Sequence, residues 1–568
     1  MTFDPTEPTN LSGIAPIAGS SRPRTLVPSD APRAGDRLPR EVDGALVVGA
    51  LIDHRAASLS APVQGGAEVR PITTRAWEGR EIYRTSAGLV LLAAAQRLGL
   101  SRVRLGPSIT TGRLVLLDDV ADPNAIVIAL GEAVAALVRE DVPIEQEVWN
   151  VDDAIALFVS RGWDDAALLL GSVREPTALL VRCEGVHAIA TGPTLPSAGL
   201  LDAISVLPYP GGLLLDFGPP IRQTLVHRPY STMMLERRSP RYGAEMTRDE
   251  QRWLSQLGIT GVGSYNRTCV SGRVNELIHV SEGFHEKHIA RTADEIQSRG
   301  GVRVIAVAGP SSSGKTTFIK RLTVQLQVNG IQPIEISLDD YYLDREKSAR
   351  DESGGYDFEA LESLDLRLLE SQLRRLLAGE PVRAARFDFV TGKSQPEGGP
   401  ERQLHKDAVL LVEGIHALNP VLFGAVDRES LFRIFIHTAT SLPFDRLSWL
   451  EPADIRLVRR IVRDRHQRAC PAADNLARWP SVRRGERLHI HPHQGNADRV
   501  FDSSLVYEAS VLKVFAERYL LEVPRNHPEH AAAQRLRRLL DPVVPIDADH
   551  VPPTSILREF IGKSGFSY

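Results

Sequence analysis

The chain has 568 residues and a formal net charge of −4 at pH 7, with 67 Lys and Arg side chains against 71 Asp and Glu side chains. This near-neutral balance gives no global field that would mark a nucleic-acid or membrane binder, so neither partner is expected. No apolar run approaches the ~20 residues of a membrane span, and three widely spaced cysteines predict a protein of the reducing cytoplasm.

The N-terminal part of the sequence predicts a tail followed by an α+β region. Residues 1–40 are rich in Pro, Ser, Thr and Gly, a composition typical of disordered segments. Ordered sequence begins with a strand-like run at 45–52 and ends near Pro220. Between these points the apolar spacing predicts further elements. They are helices at 86–98, 125–139 and 151–161, and strands at 56–59, 178–183 and 212–216.

The pattern changes in the second half of the chain. Residues 221–298 predict a helical linker, and residues 299–520 alternate strands with helices before a C-terminal extension at 521–568. Such alternation is typical of a parallel sheet wrapped by helices, which makes this domain α/β. The predicted strands are 302–308, 333–338, 408–413 and 431–437.

The first of these strands leads into a phosphate-binding loop (P-loop). Residues 302–316 read VRVIAVAGPSSSGKT, a β-branched strand followed by G-x-x-x-x-G-K-[ST] and an amphipathic helix at 315–328. Backbone N–H groups of such a loop surround phosphates, Lys315 reaches the β- and γ-phosphates, and the Thr316 hydroxyl ligates Mg²⁺. An ordinary Gly/Ser turn is the alternative. The residues expected to bind a nucleoside triphosphate are Gly309, Ser311, Ser312, Ser313, Gly314, Lys315, Thr316 and Thr317.

Two later strands end in carboxylates. Asp339 follows the strand at 333–338, and Glu413 ends the strand at 408–413. The carboxyl ends of parallel strands share the sheet edge where ligands bind. Asp339 can accept the proton of an attacking hydroxyl, and Glu413 can serve Mg²⁺ directly or through water. A solvated acidic turn is the alternative for Asp339.

Arginines recur further on at helical spacing. Arg456, Arg459, Arg460 and Arg463 fall at i, i+3, i+4 and i+7, which places them on one helix stripe. A charge run is usually a solvated face. In a chain with a P-loop, the pattern favours a movable arginine lid that offsets charge on the transferring phosphoryl group.

GPSSSGKTT, SLDDYY, FDFVTGK, LLVEGI and DIRLVRRIVRD together resemble the uridine kinase/phosphoribulokinase family over about residues 300–515. The resemblance implies a Mg²⁺·ATP-dependent kinase in which Asp339 acts on the acceptor hydroxyl and Arg456 and Arg459 contact phosphate. It implies an acceptor site made by Asp339, Tyr341, Tyr356, Asp357 and Phe387. Uridine kinases of the well-known type carry Tyr and His where this chain has Phe387 and Gly392, so uracil is not read in the same way.

The N-terminal half resembles threonyl-tRNA synthetases. Residues 41–80 are similar to the end of their TGS domain, and residues 81–220 to their editing domain. The family's His, His, Cys and His positions hold other residues here, so we expect neither editing nor a metal. The remaining apolar shell fits a binding or regulatory role. The replacing residues are Thr85, Leu89, Ala190 and Thr194.

The sequence thus predicts a kinase that phosphorylates a hydroxyl of a uridine-like nucleoside or a related small molecule. Two alternatives stay open. One is an RNA- or tRNA-associated regulator that uses the P-loop as a nucleotide switch, and the other is a kinase for a sugar phosphate or a vitamin precursor. Association into a homo-oligomer also stays open.

Overall fold

The computed structural model describes residues 24–25, 31–218 and 241–567, apart from 110, 111, 119, 121, 203, 210, 351–353, 389, 390 and 425. Most of the predicted tail and residues 221–240 of the predicted linker lie outside this range. The last part of the predicted tail differs from the prediction: the Ala34 amide donates to the Ala61 carbonyl at 2.9 Å, and Ala34 is fully buried.

Three four-stranded antiparallel sheets make up the N-terminal region. The helix Trp77–Arg97 lies between them, and its Ala- and Leu-rich second half is buried almost completely. The other helices are Val127–Arg139, Val151–Ser160 and Asp164–Leu170. The strands are Arg24–Thr25, Glu41–Val42, Ala45–Ile52, Arg55–Ala57, Val69–Thr73, Val103–Ile109, Gly112–Leu117, Ile144–Asn150, Thr177–Cys183, Val186–Ile189, Ser205–Tyr209 and Gly212–Asp216.

A five-stranded sheet organises the second half of the chain. All its neighbouring strands run parallel, so the predicted α/β class, an α+β region followed by a P-loop kinase fold, is confirmed. The predicted strands at 408–413 and 431–437 match the observed bounds. From edge to edge the strands are Gln332–Ser337, Ala408–Glu413, Val304–Ala308, Leu431–His437 and Arg499–Asp502.

Helices cover both faces of this sheet. The P-loop helix, Lys315–Val328, and the arginine helix, Pro452–Arg468, share one apolar core with the C-terminal residues Ile556 and Phe560. None of the described helices is both long and apolar enough to cross a membrane. The remaining helices are Arg241–Gln256, Val262–Val270, Val274–Arg299, Leu366–Leu377, Ala472–Gly485, Glu508–Leu521, His530–Leu540 and Arg558–Ile561. The remaining short strands are Val382–Arg383, Arg386–Asp388, Lys393–Gln395 and Glu401–Arg402.

Candidate active site

The P-loop follows the central strand at the carboxyl edge of the sheet. Gly314 has φ +81°, and a Cβ there would lie 2.4 Å from Ile556 Cγ2, so only glycine fits. The P-loop helix then begins at Lys315, whose ammonium donates to the Gly309 and Pro310 carbonyls at 3.0 and 3.2 Å. The predicted strand, loop and helix are therefore present in that order.

The loop has the donors that a phosphate group needs. The hydroxyls of Ser312 and Ser313 are buried and make no hydrogen bond within the described residues. Buried hydroxyls without partners are costly, and a bound phosphate would accept from them. The helix N-terminus adds backbone N–H groups and a positive dipole end. These observations fit the triphosphate that the sequence predicts here.

Both predicted carboxylates lie beside this loop. Ser337 is paired in register with Glu413, and its hydroxyl donates to Glu413 Oε1 at 3.2 Å. Asp339 follows Ser337 by two residues, so the three groups share one cleft. With the half-buried Thr316 they form an all-oxygen donor set, which suits Mg²⁺.

Burial and mutual repulsion shift the pKa values of these acids. Desolvation raises the pKa of Glu413 to about 7, the charge of Asp339 adds to the shift, and Lys315 opposes it. Asp339 is open to solvent at the cleft mouth, yet the surrounding walls desolvate its carboxylate enough to raise its pKa, against the charges of Lys315, Arg468 and Arg463. Acids with raised pKa values in a cleft are typical of functional sites.

The arginine helix begins at Pro452, where proline suits the first turn, and Asp454 complements the helix dipole. Arg456 forms a two-pronged ion pair with Glu486 and donates to the Ser311 carbonyl at 3.0 Å. Arg459 pairs with Glu508 and donates to the Ser503 carbonyl at 2.8 Å.

These contacts correct one prediction. Arg456 and Arg459 are almost fully buried beneath the P-loop and support its backbone, so they do not form a movable lid over the phosphates. Arg468, whose side chain is 56% exposed, and Arg463 are the arginines whose charges reach Asp339.

The predicted acceptor residues differ in their surroundings. Tyr341 does not line an acceptor site, which corrects the prediction: it is buried in the core and its hydroxyl donates to Gln372 Oε1 at 2.7 Å. The neighbouring Tyr342 instead packs its ring against Phe387, with 5.7 Å between centroids. Tyr356 lies under the Arg350 guanidinium at 4.5 Å.

The Oδ2 atom of Asp357 lies 4.0 Å from His489 Nε2. Its other carboxylate oxygen accepts from the Glu359 amide at 3.1 Å. The predicted Tyr356-Asp357 segment therefore runs directly into Glu359, which lies in the cleft.

Sequence analysis missed two acids at this site, Glu359 and Glu559. Neither follows a strand of the sheet or belongs to a motif, so no local signal identifies them. Glu359 has a buried Oε2 without a hydrogen-bond partner in the described chain. Desolvation, and then the charge of Glu486, raise its pKa to about 7.

The part of the chain that holds this site is similar to known proteins. Residues 304–508 match the Phosphoribulokinase / Uridine kinase family. In this kinase-family segment the chain is similar to the uridine kinase of Brevibacillus brevis, 28% identical over 200 residues that cover 35% of this chain and 84% of that protein. The uridine kinase of Chlamydia pneumoniae is 29% identical over 231 residues, 40% of this chain and 91% of that protein.

The N-terminal region is similar to the threonine–tRNA ligase of Acidithiobacillus ferrooxidans. That similarity is 31% identity over 185 residues, 31% of this chain but only 28% of the ligase. Among solved structures, a "Possible Uridine Kinase" from Bacillus stearothermophilus is 20% identical with a TM-score of 0.25, covering 36% of this chain and 90% of that chain. The family match and the similarities to the uridine kinases and to the threonine–tRNA ligase confirm the two resemblances stated from the sequence.

Glu359 predicts a pH-dependent stability. Because its pKa is raised, the folded chain keeps a proton that the unfolded chain loses above about pH 4.5, so its contribution to stability falls as pH rises from there to about 7. Glu359→Gln removes this loss. We expect the melting temperature of the variant, relative to the parent, to rise by about 5 °C between pH 5 and pH 8.

Thermal unfolding at the two pH values measures this difference. Glu362→Gln is the matched control, since Glu362 is exposed and only three residues away. An equal pH response in the two variants would contradict a raised pKa at Glu359.

Glu559 accepts hydrogen bonds from both donors of Thr317. Its Oε2 accepts from the Thr317 amide at 3.1 Å and from the Thr317 hydroxyl at 3.0 Å. Thr317 is fully buried. Its predicted nucleotide-binding role therefore requires that Glu559 releases these donors to a phosphate.

Glu559→Gln removes this negative charge while keeping the side-chain shape. We expect the Kd for ATP to fall roughly fivefold, because a carboxylate next to the triphosphate site repels it. Equilibrium binding at fixed ionic strength measures the effect. Asp549→Asn, an exposed acid of the same C-terminal segment, should leave the Kd unchanged, and an equal gain in both variants would contradict a local effect.

Proposed function

We propose that the chain is an ATP-dependent kinase that transfers the γ-phosphoryl group to a hydroxyl of a nucleoside, uridine-like, or of a related small molecule. One observation carries the proposal: Lys315, Asp339 and Glu413 meet at the carboxyl edge of one parallel sheet, inside the segment that matches the kinase family. This is where ligands bind in open α/β sheets.

The roles of the residues follow from their positions. The loop amides, the Ser312 and Ser313 hydroxyls and Lys315 hold the triphosphate. Asp339, exposed at the cleft mouth, orients the acceptor hydroxyl and takes its proton as the new bond forms. Arg463 and Arg468 offset the negative charge of the transferring group.

Thr316 and Glu413 would hold Mg²⁺, which neutralises phosphate charge when bound. Glu413 must be ionised to ligate a cation, and its pKa of about 7 means that a proton competes at this position below neutral pH. The Ser337 hydroxyl fixes one carboxylate oxygen of Glu413, which leaves the other for the ion.

A sugar phosphate is the second candidate acceptor. Gly392 has φ +70°, and a Cβ there would lie 2.8 Å from Arg345 Nε. The Arg345 side chain thus fills the space where the well-known uridine kinases carry His. With Arg350 over Tyr356, two guanidinium groups border the predicted acceptor residues, and such groups favour an anionic acceptor.

A panel assay tests the proposal and separates the acceptors. ATP consumption by the purified chain is measured against nucleosides and against sugar phosphates, with Lys315→Met as the inactive control. Turnover with one compound class, absent in the control, is expected. Bound ATP with no turnover across both classes would contradict a kinase acting on these acceptors.

If sugar phosphates are the acceptors, Arg345→Gln should raise their KM at least tenfold, because a charged contact is lost. With a nucleoside acceptor the KM should stay the same.

A further inference from the structure

A second cavity lies where the N-terminal region meets the kinase-family segment. Its volume is about 80 Å³, and no residue of the loop 309–314 lines it. Most of its walls come from the helix Trp77–Arg97, which includes Thr85, from the start of the arginine helix with the residues before it, and from the helix His530–Leu540. The turn 191–193 of the synthetase-like region also borders it.

One side chain in this cavity has a buried nitrogen without a hydrogen bond. Arg113, on the strand Gly112–Leu117, is 5% exposed. Its Nε donates to the Gly106 carbonyl at 3.2 Å, but its Nη2 makes no hydrogen bond within the described residues. Glu451 Oε1 lies 3.9 Å from this Nη2, which is within ion-pair distance but beyond hydrogen-bond distance. A buried guanidinium in this state is costly, and an anionic ligand would satisfy it.

Carboxylates line the same cavity. Glu81 pairs with Arg84 at 2.9 Å, and Asp454 forms a two-pronged ion pair with Arg535. Glu78 is half-buried and lines the cavity, with the charges of Arg80 and Arg535 nearby. A carboxylate acceptor for a cationic group is therefore available in the cavity together with the Arg113 nitrogen that lacks a hydrogen bond.

Apolar surface completes the lining. Ile82, Trp449 and Leu539 border the cavity beside the charged groups, so a short side chain of a ligand could pack there. The combination of a guanidinium nitrogen without a hydrogen bond, a half-buried carboxylate and a small apolar wall fits a compact molecule that carries both charges.

We propose that this cavity binds a free α-amino acid, with its carboxylate on Arg113 and its ammonium group on Glu78. The volume admits only a small molecule, and an amino acid is the smallest common metabolite with both groups. The synthetase-like region would then serve as a ligand-binding module that is separate from the phosphoryl-transfer site.

Isothermal titration of the full chain with each proteinogenic L-amino acid, without nucleotide, tests this inference independently of kinase activity. At least one amino acid is expected to bind with a Kd below about 10 mM. Its methyl ester, which lacks the carboxylate, and its N-acetyl derivative, which lacks the ammonium group, should each bind at least tenfold more weakly.

Variants locate the site. Arg113→Gln should weaken binding at least tenfold, whereas Arg104→Gln, an exposed arginine of the neighbouring strand, should not change it. Should Arg113→Gln fail to fold by circular dichroism, Glu78→Gln decides, with the same expected loss. Binding of no amino acid to the parent chain, meaning a cavity that holds water only, or full affinity in the deciding variant, would overturn the inference.

Discussion

Replacing Asp339 with Asn is expected to leave ATP binding almost intact while phosphoryl transfer falls at least ~100-fold. Asn keeps the size of the side chain but cannot take a proton from the acceptor hydroxyl. The Asp339 carboxylate accepts no hydrogen bond from the P-loop in the described part of the chain and lies at the open cleft mouth, so the triphosphate contacts should survive. A Kd for ATP and a single-turnover transfer rate, measured with the acceptor found in the panel, give the two numbers.

Asp340→Asn is the matched control for this experiment. The neighbouring Asp340 accepts from the Phe387 amide at 3.4 Å through Oδ1, a bond that Asn can also accept. Its transfer rate should therefore stay within about threefold of the parent, on the scale of a neutral substitution. Equal transfer rates in the parent and the Asp339 variant would remove Asp339 from the proposed mechanism.

The sheet and its loop could be predicted because their signals are local. A β-branched run such as 304–308 has few alternatives to a buried strand, and GPSSSGKT fixes the turn and the helix start. The acids after two strands also reached the cleft as predicted, since parallel strands bring their carboxyl ends to one edge.

The roles of the four arginines on the arginine helix could not be predicted from local signals. Its spacing places four side chains on one helix, but which of them face solvent depends on partners far along the chain. Glu486 and Glu508 hold Arg456 and Arg459 beneath the loop. Glu559 reaches Thr317 across 242 residues of sequence, a pairing that only the folded C-terminal segment creates.

This burial leads to the second large expected effect. Arg459→Met should destabilise the fold by about 3–5 kcal/mol, because removing one partner of a buried ion pair leaves the other charge uncompensated. Arg459 is fully buried, pairs with Glu508 and lies 5.1 Å from the Phe560 ring centroid. The melting temperature should fall by about 10 °C.

Arg468→Met is the contrasting variant on the same helix. Its side chain is mostly exposed, so stability should stay within about 0.5 kcal/mol of the parent. Phosphoryl transfer should nevertheless drop at least about tenfold, since the charge that faces Asp339 is lost.

A second substitution distinguishes a structural role of Arg459 from a role in phosphoryl transfer. Adding Glu508→Gln to Arg459→Met removes the charge of the carboxylate that has lost its partner, so the melting temperature of the double variant should be higher than that of Arg459→Met. Burial raises the pKa of Glu508, and the charge of Arg459 opposes this shift, so an unpaired Glu508 is expected to contribute to the penalty. If Arg459→Met instead kept its stability and lost only transfer, Arg459 would belong to the phosphate-binding surface that the sequence pattern predicts.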